Sequence, residues 1–465
     1  MENKVNFITS EKGKPLVLLN LHKYRFIRER KDGIKKWLCT KKSCYASILT
    51  NGEYVHETIN EHHHPENSQQ SIERQVLREA CKRKSNNTIC VRPIKIIRNE
   101  LMGSNGNHSE IEHRDVRSIR KAMYDKRRKN YPAFPKSLTE SIEQLKAMED
   151  DDIIQFQGKQ FVFIPDNKLF VCVTTEQNLT FMTSTSEFFA DGTFNYAPKF
   201  FAQLYTINCF KNGFYVPVAY FLLPNKSKQI YADMWLFLQE LCEQIIFKKL
   251  LVLKLHLDFE IGAHEAAKEV FPNIEIDACR FHLGQSWWRK INSEKELRLA
   301  YTKNSDLGKW LKLFFGLPFL PFQDIQNAFG ELISICPDLN IGCLFSDYIL
   351  NTYVENGCLF PPEIWAQEPS ENPRTTNGSE SFHRTYNAQF HSSHPSVHVV
   401  ISILKETQEE TCTKIQSVFK GRIKKMENSD LNRIKEAMKE YNKYKIHKNI
   451  ITYLSKICYI SGTKV

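Results

Sequence analysis

The sequence predicts a mixed α/β protein. Its core has the order three strands, helix, strand, helix, strand, with a helical insertion, and a small β-rich metal module and a helical connector precede it. Three observations predict this. From about residue 150, apolar runs of strand length alternate with stretches of helical period. Short β-rich segments crowd residues 6–64 around cysteines and histidines. Residues 68–130 carry helical patterns and no β-rich run.

A chain of 465 residues that is 42% apolar can bury a real core and form several domains, which excludes disorder throughout. No apolar run approaches the roughly 18 residues of a membrane span, and residues 1–10 hold no apolar stretch for a signal peptide. The expectation is a nuclear protein without a membrane partner. The 13 cysteines are odd in number and scattered, which suits a reducing compartment, a few on metal and the rest buried.

The net charge of +11 is unevenly spread. Residues 1–130 hold 28 Lys and Arg against 15 Asp and Glu, a net of +13, and the remainder has a net of −2. Such a front end fits a polyanion, because neutralising phosphates releases counterions. A basic surface that serves only solubility is the plainer alternative.

Taken in order, residues 16–19, 24–27 and 36–39 read as strands, with hairpins at Asp32-Gly33 and Asn51-Gly52. So small a piece lacks core, and a metal is one remedy. Cys39, Cys44 and the run His62, His63, His64 supply thiolates and imidazoles for tetrahedral zinc, and the spacing leaves open which two histidines bind. Phe7, the turn Gly13-Lys14-Pro15, Leu19, Tyr24, Trp37, Cys39, Cys44 and His62 to Pro65 follow one another in an order that resembles a FLYWCH-type zinc finger. The resemblance implies Cys39, Cys44, His62 and His64 as zinc ligands, with DNA or protein contacts as the use. Lys23, Arg25, Arg28, Arg30, Lys31, Lys35, Lys36, Lys41 and Lys42 crowd around the cysteines and favour DNA.

The connector breaks at residues 85–87, at Pro93 and at 103–107, and its last helix is expected over roughly 110–129. That helix carries Arg114, Arg117, Arg120 and Lys121, then a basic run over 126–129 that doubles as a weak nuclear-import pattern. A three-helix DNA-binding unit and a plain basic linker both fit.

In the core, 161–165 and 169–173 read as a hairpin, and 187–194, 200–207 and 216–223 as strands. A helix over 231–241, a strand over 250–260, a helix over 262–271 and a strand over 274–278 follow. This order is that of a ribonuclease-H-like sheet, whose central first strand and adjacent fourth strand would set Asp191 beside Asp258. Carboxylates on buried strands are costly unless a cation neutralises them, and Mg²⁺ or Mn²⁺ suits oxygen ligands. Taken singly, Asp191 also reads as part of an Asp-Gly turn and Asp258 as a helix cap.

Residues 191–194, 201–204 and 216–224, with Tyr231, Trp235, 258–260 and 279–282, resemble a Mutator-like (MULE) transposase core. The resemblance implies a DDE triad with a long helical insertion before the glutamate. Glu380, after Trp365 and within Asn377-x2-Glu380-x2-His383, becomes the third acid, with Asn377 and His383 as auxiliary residues. It also makes the pair Cys279 and His282 a family feature, which leaves open a half zinc site or a structural helix start. It implies a transposase acting on double-stranded DNA at element terminal inverted repeats as a homo-oligomer. A domesticated, non-catalytic DNA-binding transcriptional regulator is the alternative, and a protein-interaction module a third reading. Relatives carry a SWIM-type finger after the core, and residues 397–446 show none. The expected domains are 1–67, 68–135, 150–395 with the insertion at about 283–365, and a helical tail at 396–465.

Overall fold

The computed structural model describes residues 4–87, 91–103, 110–148, 151–166, 168–370, 377–390 and 392–460, without the side chains of 86, 87, 377, 379 and 380. It is mixed α/β and divides into two compact units, one built on residues 1–134 and 389–391, the other on 135–388 and 392–465.

The first unit opens with an antiparallel meander: β1 (Asn6–Thr9), β2 (Pro15–Leu19), β3 (His22–Glu29), β4 (Lys35–Cys39), β5 (Ser47–Asn51) and β6 (Tyr54–Ile59). The sheet curls until its ends meet, where Lys4 bridges Tyr54 and Val5 N–H donates to Glu53 O at 2.8 Å. Gly33 and Gly52 sit at positive φ in the two expected hairpin turns. The buried core is small: Val5, Val17, Leu19, Tyr24, Trp37, Ala46 and Ile48 together with the two cysteines, Cys39 and Cys44.

Among the described residues, three helices follow in this unit, α1 (Gln69–Asn87), α2 (Pro93–Gly103) and α3 (His113–Arg128). They pack around Leu77, Cys81, Ile96, Ile97, Ile119 and Met123. α1 also lies on the meander, donating from Gln75 Nε2 to Thr9 O at 2.8 Å.

The second unit begins with α4 (Leu138–Lys146), a small hairpin of β7 (Gln155–Phe156) and β8 (Lys159–Gln160), then β9 (Val162–Phe163), β10 (Val171–Val173) and α5 (Glu176–Met182). Next come β11 (Glu187–Thr193), β12 (Gln203–Lys211), β13 (Phe214–Leu223), α6 (Lys228–Ile246), β14 (Lys254–Leu257), α7 (Ile261–Val270) and β15 (Glu275–Ala278). The sheet order is β15-β14-β11-β12-β13-β10-β9. β11, β14 and β15 are parallel, while β11, β12 and β13 form an antiparallel meander. Asn212 and Gly213 join β12 to β13 with φ of 53° and 81°, the left-handed pair a tight twisted hairpin needs. Helices cover the sheet through buried positions of α6 and α7, including Trp235, Leu238 and Ala266.

A second core is almost wholly helical, with α8 (Arg280–Ser293), α9 (Lys295–Lys303), α10 (Asp306–Phe314), α11 (Ile325–Ser334) and α12 (Leu339–Ile349). Its large aromatics Trp287, Trp310 and Trp365 are buried there. After α13 (Asn377–Asn387) come α14 (Val397–Phe419), α15 (Asn428–His447) and α16 (Ile450–Ile460). α14 joins the sheet core through Ile415 and Val418, and α15 and α16 join the helical core through Tyr444, Tyr453 and Ile457. The stretch expected as a tail thus belongs to both cores.

α14 is fixed by a buried amide pair. Asn178 Nδ2 donates to Gln408 Oε1 at 2.9 Å, and Gln408 Nε2 donates back to Asn178 Oδ1 at 2.8 Å. Both residues are fully buried. Gln408→Leu leaves Asn178 Oδ1 without its donor, while Nδ2 keeps its bond to Val218 O at 3.0 Å, so the expected loss is about 1–3 kcal/mol in chemical denaturation. Replacing both partners by Leu is expected to recover part of that loss.

Candidate metal centres

The finger centre lies where β4 ends and the chain after β6 returns. Cys39 closes β4, Cys44 follows a turn, and the segment past β6 brings His62 and His64 back over them. Cys39 Sγ lies 3.2 Å from His64 Nε2, Cys44 Sγ 3.3 Å from His62 Nδ1, and His62 Nδ1 3.2 Å from His64 Nε2. Ligands at normal zinc bond lengths stand about 3.3–3.6 Å apart around a tetrahedron, so the donor set fits the ion. The outer nitrogens are engaged as a ligating imidazole requires. His62 Nε2 donates to Tyr24 Oη at 2.7 Å, and His64 Nδ1 donates to Pro65 O at 2.9 Å. His22 stacks on the His62 ring at 3.6 Å. Burial, helped by His22, His64 and His63, lowers the His62 pKa to about 4, which keeps the ring neutral for ligation. His63 is exposed and outside the cluster.

Of the basic residues around the cysteines, Arg25, Arg28, Arg30, Lys31, Lys41 and Lys42 are exposed, and Lys35 and Lys36 are half-buried. Lys35 pairs with Glu29 at 3.8 Å. Lys23 turns onto α1, where its Nζ donates to Gln75 Oε1 at 2.8 Å. In the run at 126–129, Arg127 is buried and ties to Ser85 O and Val91 O, so the run is not one continuous exposed patch.

The second centre sits on the sheet. β11 and β14 are parallel, with Phe189 opposite His256. Continuing that register by two residues sets Asp191 opposite Asp258, which directly follows β14. Asp191 is 3% exposed, and the side chain of Asp258 is 36% exposed, so the pair has a sealed and an open side. Backbone amides fix one oxygen of each: Gly192 N–H donates to Asp191 Oδ1 at 2.8 Å, and Phe259 N–H donates to Asp258 Oδ1.

α8 begins where β15 ends, and its first turn carries His282 between the two acids. His282 Nε2 is 4.0 Å from Asp191 Oδ1 and Nδ1 is 3.8 Å from Asp258 Oδ1. Burial would lower the His282 pKa, but the Cys279 thiol and the carboxylates of Asp258 and Asp191 carry it up to about 10. Its Nδ1 is buried without a hydrogen-bond partner among the described residues. Two carboxylates and an imidazole nitrogen, all within 4.8 Å of one another, form a donor set that a divalent cation fits.

From the far end of the chain, α13 brings His383. Its Nδ1 lies 3.2 Å from Asp191 Oδ2 and its Nε2 lies 3.2 Å from Thr206 Oγ1. Thr206 is the cross-strand neighbour of Asp191 on β12. Burial pushes the Asp191 pKa up, but the hydrogen bond and charge of His383, with His282 and the Gly192 amide, leave it below its ordinary value. α13 approaches closely: a Cβ at Gly378 would meet the Tyr215 ring at 2.0 Å. Glu380 and Asn377 belong to α13, and their side chains lie outside the described residues. Thr206 went unnoticed in the sequence, where only its place in the hairpin register pointed to it.

Residues 188–286 match the MULE transposase domain, and residues 7–64 match the FLYWCH zinc finger domain. Both agree with the resemblances carried by the motifs. No curated protein matches the chain. The first match opens on β11 and closes in α8, so it contains Asp191, Asp258 and His282 and ends before Glu380. The second contains the whole Cys₂His₂ cluster, which supports structural zinc. These domains define a class, transposase-related and DNA-binding, that suits a nuclear or otherwise DNA-associated protein. Among the described residues, no helix is long and apolar enough to cross a membrane.

Proposed function

We propose that the chain is a DDE-type DNA transposase, cutting and joining double-stranded DNA at element terminal inverted repeats as a homo-oligomer in the nucleus. The observation that carries this reading is Asp191 on β11 beside Asp258, directly after the neighbouring parallel strand β14, inside the segment that matches the MULE domain. The sheet is read as ribonuclease-H-like: an antiparallel meander, then parallel strands added through α6 and α7 beside its first strand. The domains are read as 1–67 finger, 68–135 connector, 150–395 transposase core and 396–465 C-terminal helices.

In this reading Asp191, Asp258 and Glu380 hold Mg²⁺ or Mn²⁺. Such ions, when bound, generate the attacking oxygen and stabilise the leaving one. The chain's own residues set the stage. The Gly192 and Phe259 amides hold one oxygen of each acid, and Thr206 and His383 orient Asp191. Glu380 stands three residues before His383 on α13, so the two share a helix face. Asn377, three residues earlier, extends that face. His282, between the two acids, offers such a cation a further donor nitrogen. The exposed basic residues from Arg25 to Lys42 contact phosphates, leaving the catalytic unit to the chemistry.

The test is strand cleavage of supercoiled plasmid bearing candidate terminal repeats, with Mg²⁺ or Mn²⁺. Nicking that requires the metal is the expected result, and its absence with DNA binding intact overturns the catalytic reading. The second reading, a non-cutting transcriptional regulator, is favoured by one observation. The positive excess, +13, lies wholly within residues 1–130, apart from the carboxylates.

A further inference from the structure

We infer that the three-helix part of the first unit is a second DNA-binding surface, distinct from the zinc finger. In it, one face of α3 lies along duplex phosphates and a cleft beside it takes a backbone phosphate. This rests on the reading of the chain as a DNA-binding protein, and deepens it by naming the surface.

α3 sorts its charges by direction. At about 100° per residue, the buried positions Asp115, Ile119, Ala122, Met123 and Arg127 fall on one side. Arg114, Arg117, Arg120, Lys121 and Arg128 are exposed and fall within about 120° on the opposite side. The stripe is about 21 Å long at 1.5 Å per residue.

The two inward charges act as anchors. Asp115 accepts from Gln70 Nε2 at 3.1 Å and from Arg74 Nη1 at 3.5 Å, fixing the start of α3 to α1. Arg127 donates from Nε to Ser85 O at 3.1 Å and from Nη2 to Val91 O at 2.7 Å, fixing its end. A helix held at both ends presents its outer face rigidly, and DNA docking favours such presentation over a loose linker.

That outer face carries five basic residues against one exposed acid, Asp125. Arg114 pairs with Glu112 at 2.8 Å. Among the described residues, Arg117, Arg120, Lys121 and Arg128 make no ion pair. Beside them, the start of α2 and the middle of α3 enclose a cleft of about 180 Å³ lined by Arg92, Pro93, Ile94, Arg120 and Tyr124. Two arginines line this one cleft, and guanidinium groups can grip a phosphate through paired N–H donors. A cationic stripe with an arginine-lined cleft complements a regularly spaced polyanion better than a single acidic side chain.

The experiment is fluorescence anisotropy of the full chain on a labelled random-sequence duplex over a salt series. The wild type is compared with Arg117→Gln/Lys121→Gln/Arg128→Gln and with Arg120→Gln. All four residues are exposed, and circular dichroism and zinc content check that the fold is kept. Each lost phosphate contact lowers the slope of log K against log salt by about 0.9. The triple variant is therefore expected to lose about 2.7 from the slope, with at least about tenfold in affinity, and Arg120→Gln about 0.9. The corresponding Arg→Lys variants are expected to keep the slope.

Wild-type binding with an unchanged slope in the Gln variants overturns the inference and leaves the transposase reading standing. In that case the stripe serves an acidic protein partner or none. A wild type that does not bind the duplex overturns both. Loss of metal-dependent cleavage alone, with the slopes as expected, overturns only the catalytic reading.

Discussion

Asp258→Asn is expected to abolish metal-dependent strand cleavage while leaving DNA binding intact, with Asp191→Asn behaving alike. A metal centre supplies several kcal/mol of transition-state charge stabilisation, and every 1.36 kcal/mol is tenfold in rate, so a loss of at least about 10³-fold follows. A second readout needs no substrate. A cation that binds only the folded protein stabilises it by about 2.7 kcal/mol at 100 times its Kd. Mn²⁺ should therefore raise the melting temperature of the wild type and not of Asp258→Asn. In metal-free protein the same substitution should cost little, because it removes one of two carboxylates set within 4.8 Å of a common donor cluster. Active sites commonly hold such strain against stability. Equal Mn²⁺ stabilisation of wild type and variant would sink the assignment of this cluster as the cation site. Glu380→Gln belongs to the same series, and under the proposal it loses cleavage as the aspartates do.

Much of this centre was legible because strands and acids coincide locally. The apolar runs around Asp191 and Asp258, with α6 between them, already imply adjacent strands, and the β11–β14 register agrees. Asn212-Gly213 is a local signal of the same kind, since few other residues tolerate both positive φ values. What stayed hidden depends on distant elements meeting. Thr206 and His383 are separated by 177 residues, and nothing local joins a strand threonine to a helix near the far end. His282 read only as half of a Cys-x2-His pair. Its place between the acids follows from β15 pairing with β14, which starts α8 beside Asp258. The Asn178–Gln408 pair spans 230 residues, so a segment with a charged amphipathic pattern read as a tail although one face of it completes a core. Arg127 shows the reverse case, where the signal was present but linear. It lies four residues after Met123 and eight after Ile119, on their buried face, although the basic run around it suggested a surface patch.

Zinc removal is expected to unfold the meander and leave the second unit folded. The module's core holds nine buried residues, two of them the ligand cysteines, so little remains to hold six strands together without the ion. Structural zinc in small fingers contributes roughly 10–16 kcal/mol of apparent folding free energy at neutral pH. Hydrogen exchange should show β2 to β5 losing protection on chelation while β11 to β13 keep theirs, and metal analysis should find one zinc per chain beforehand. Cys44→Ala and His64→Ala should lose that zinc. His63→Ala should keep it, because His63 lies exposed beside the cluster rather than within it. The pH dependence has a definite sign. Burial holds the folded His62 pKa at about 4, below its ordinary 6.5. The unfolded chain therefore binds the extra proton between those values, and stability contributed by His62 is present above 6.5 and declines as pH falls towards 4. Proton competition for the thiolates acts in the same direction, so zinc release should begin below neutrality and be complete in acid. Zinc retained by Cys44→Ala at one equivalent per chain, or a meander whose exchange ignores chelation, would show that this fold does not depend on the four clustered donors.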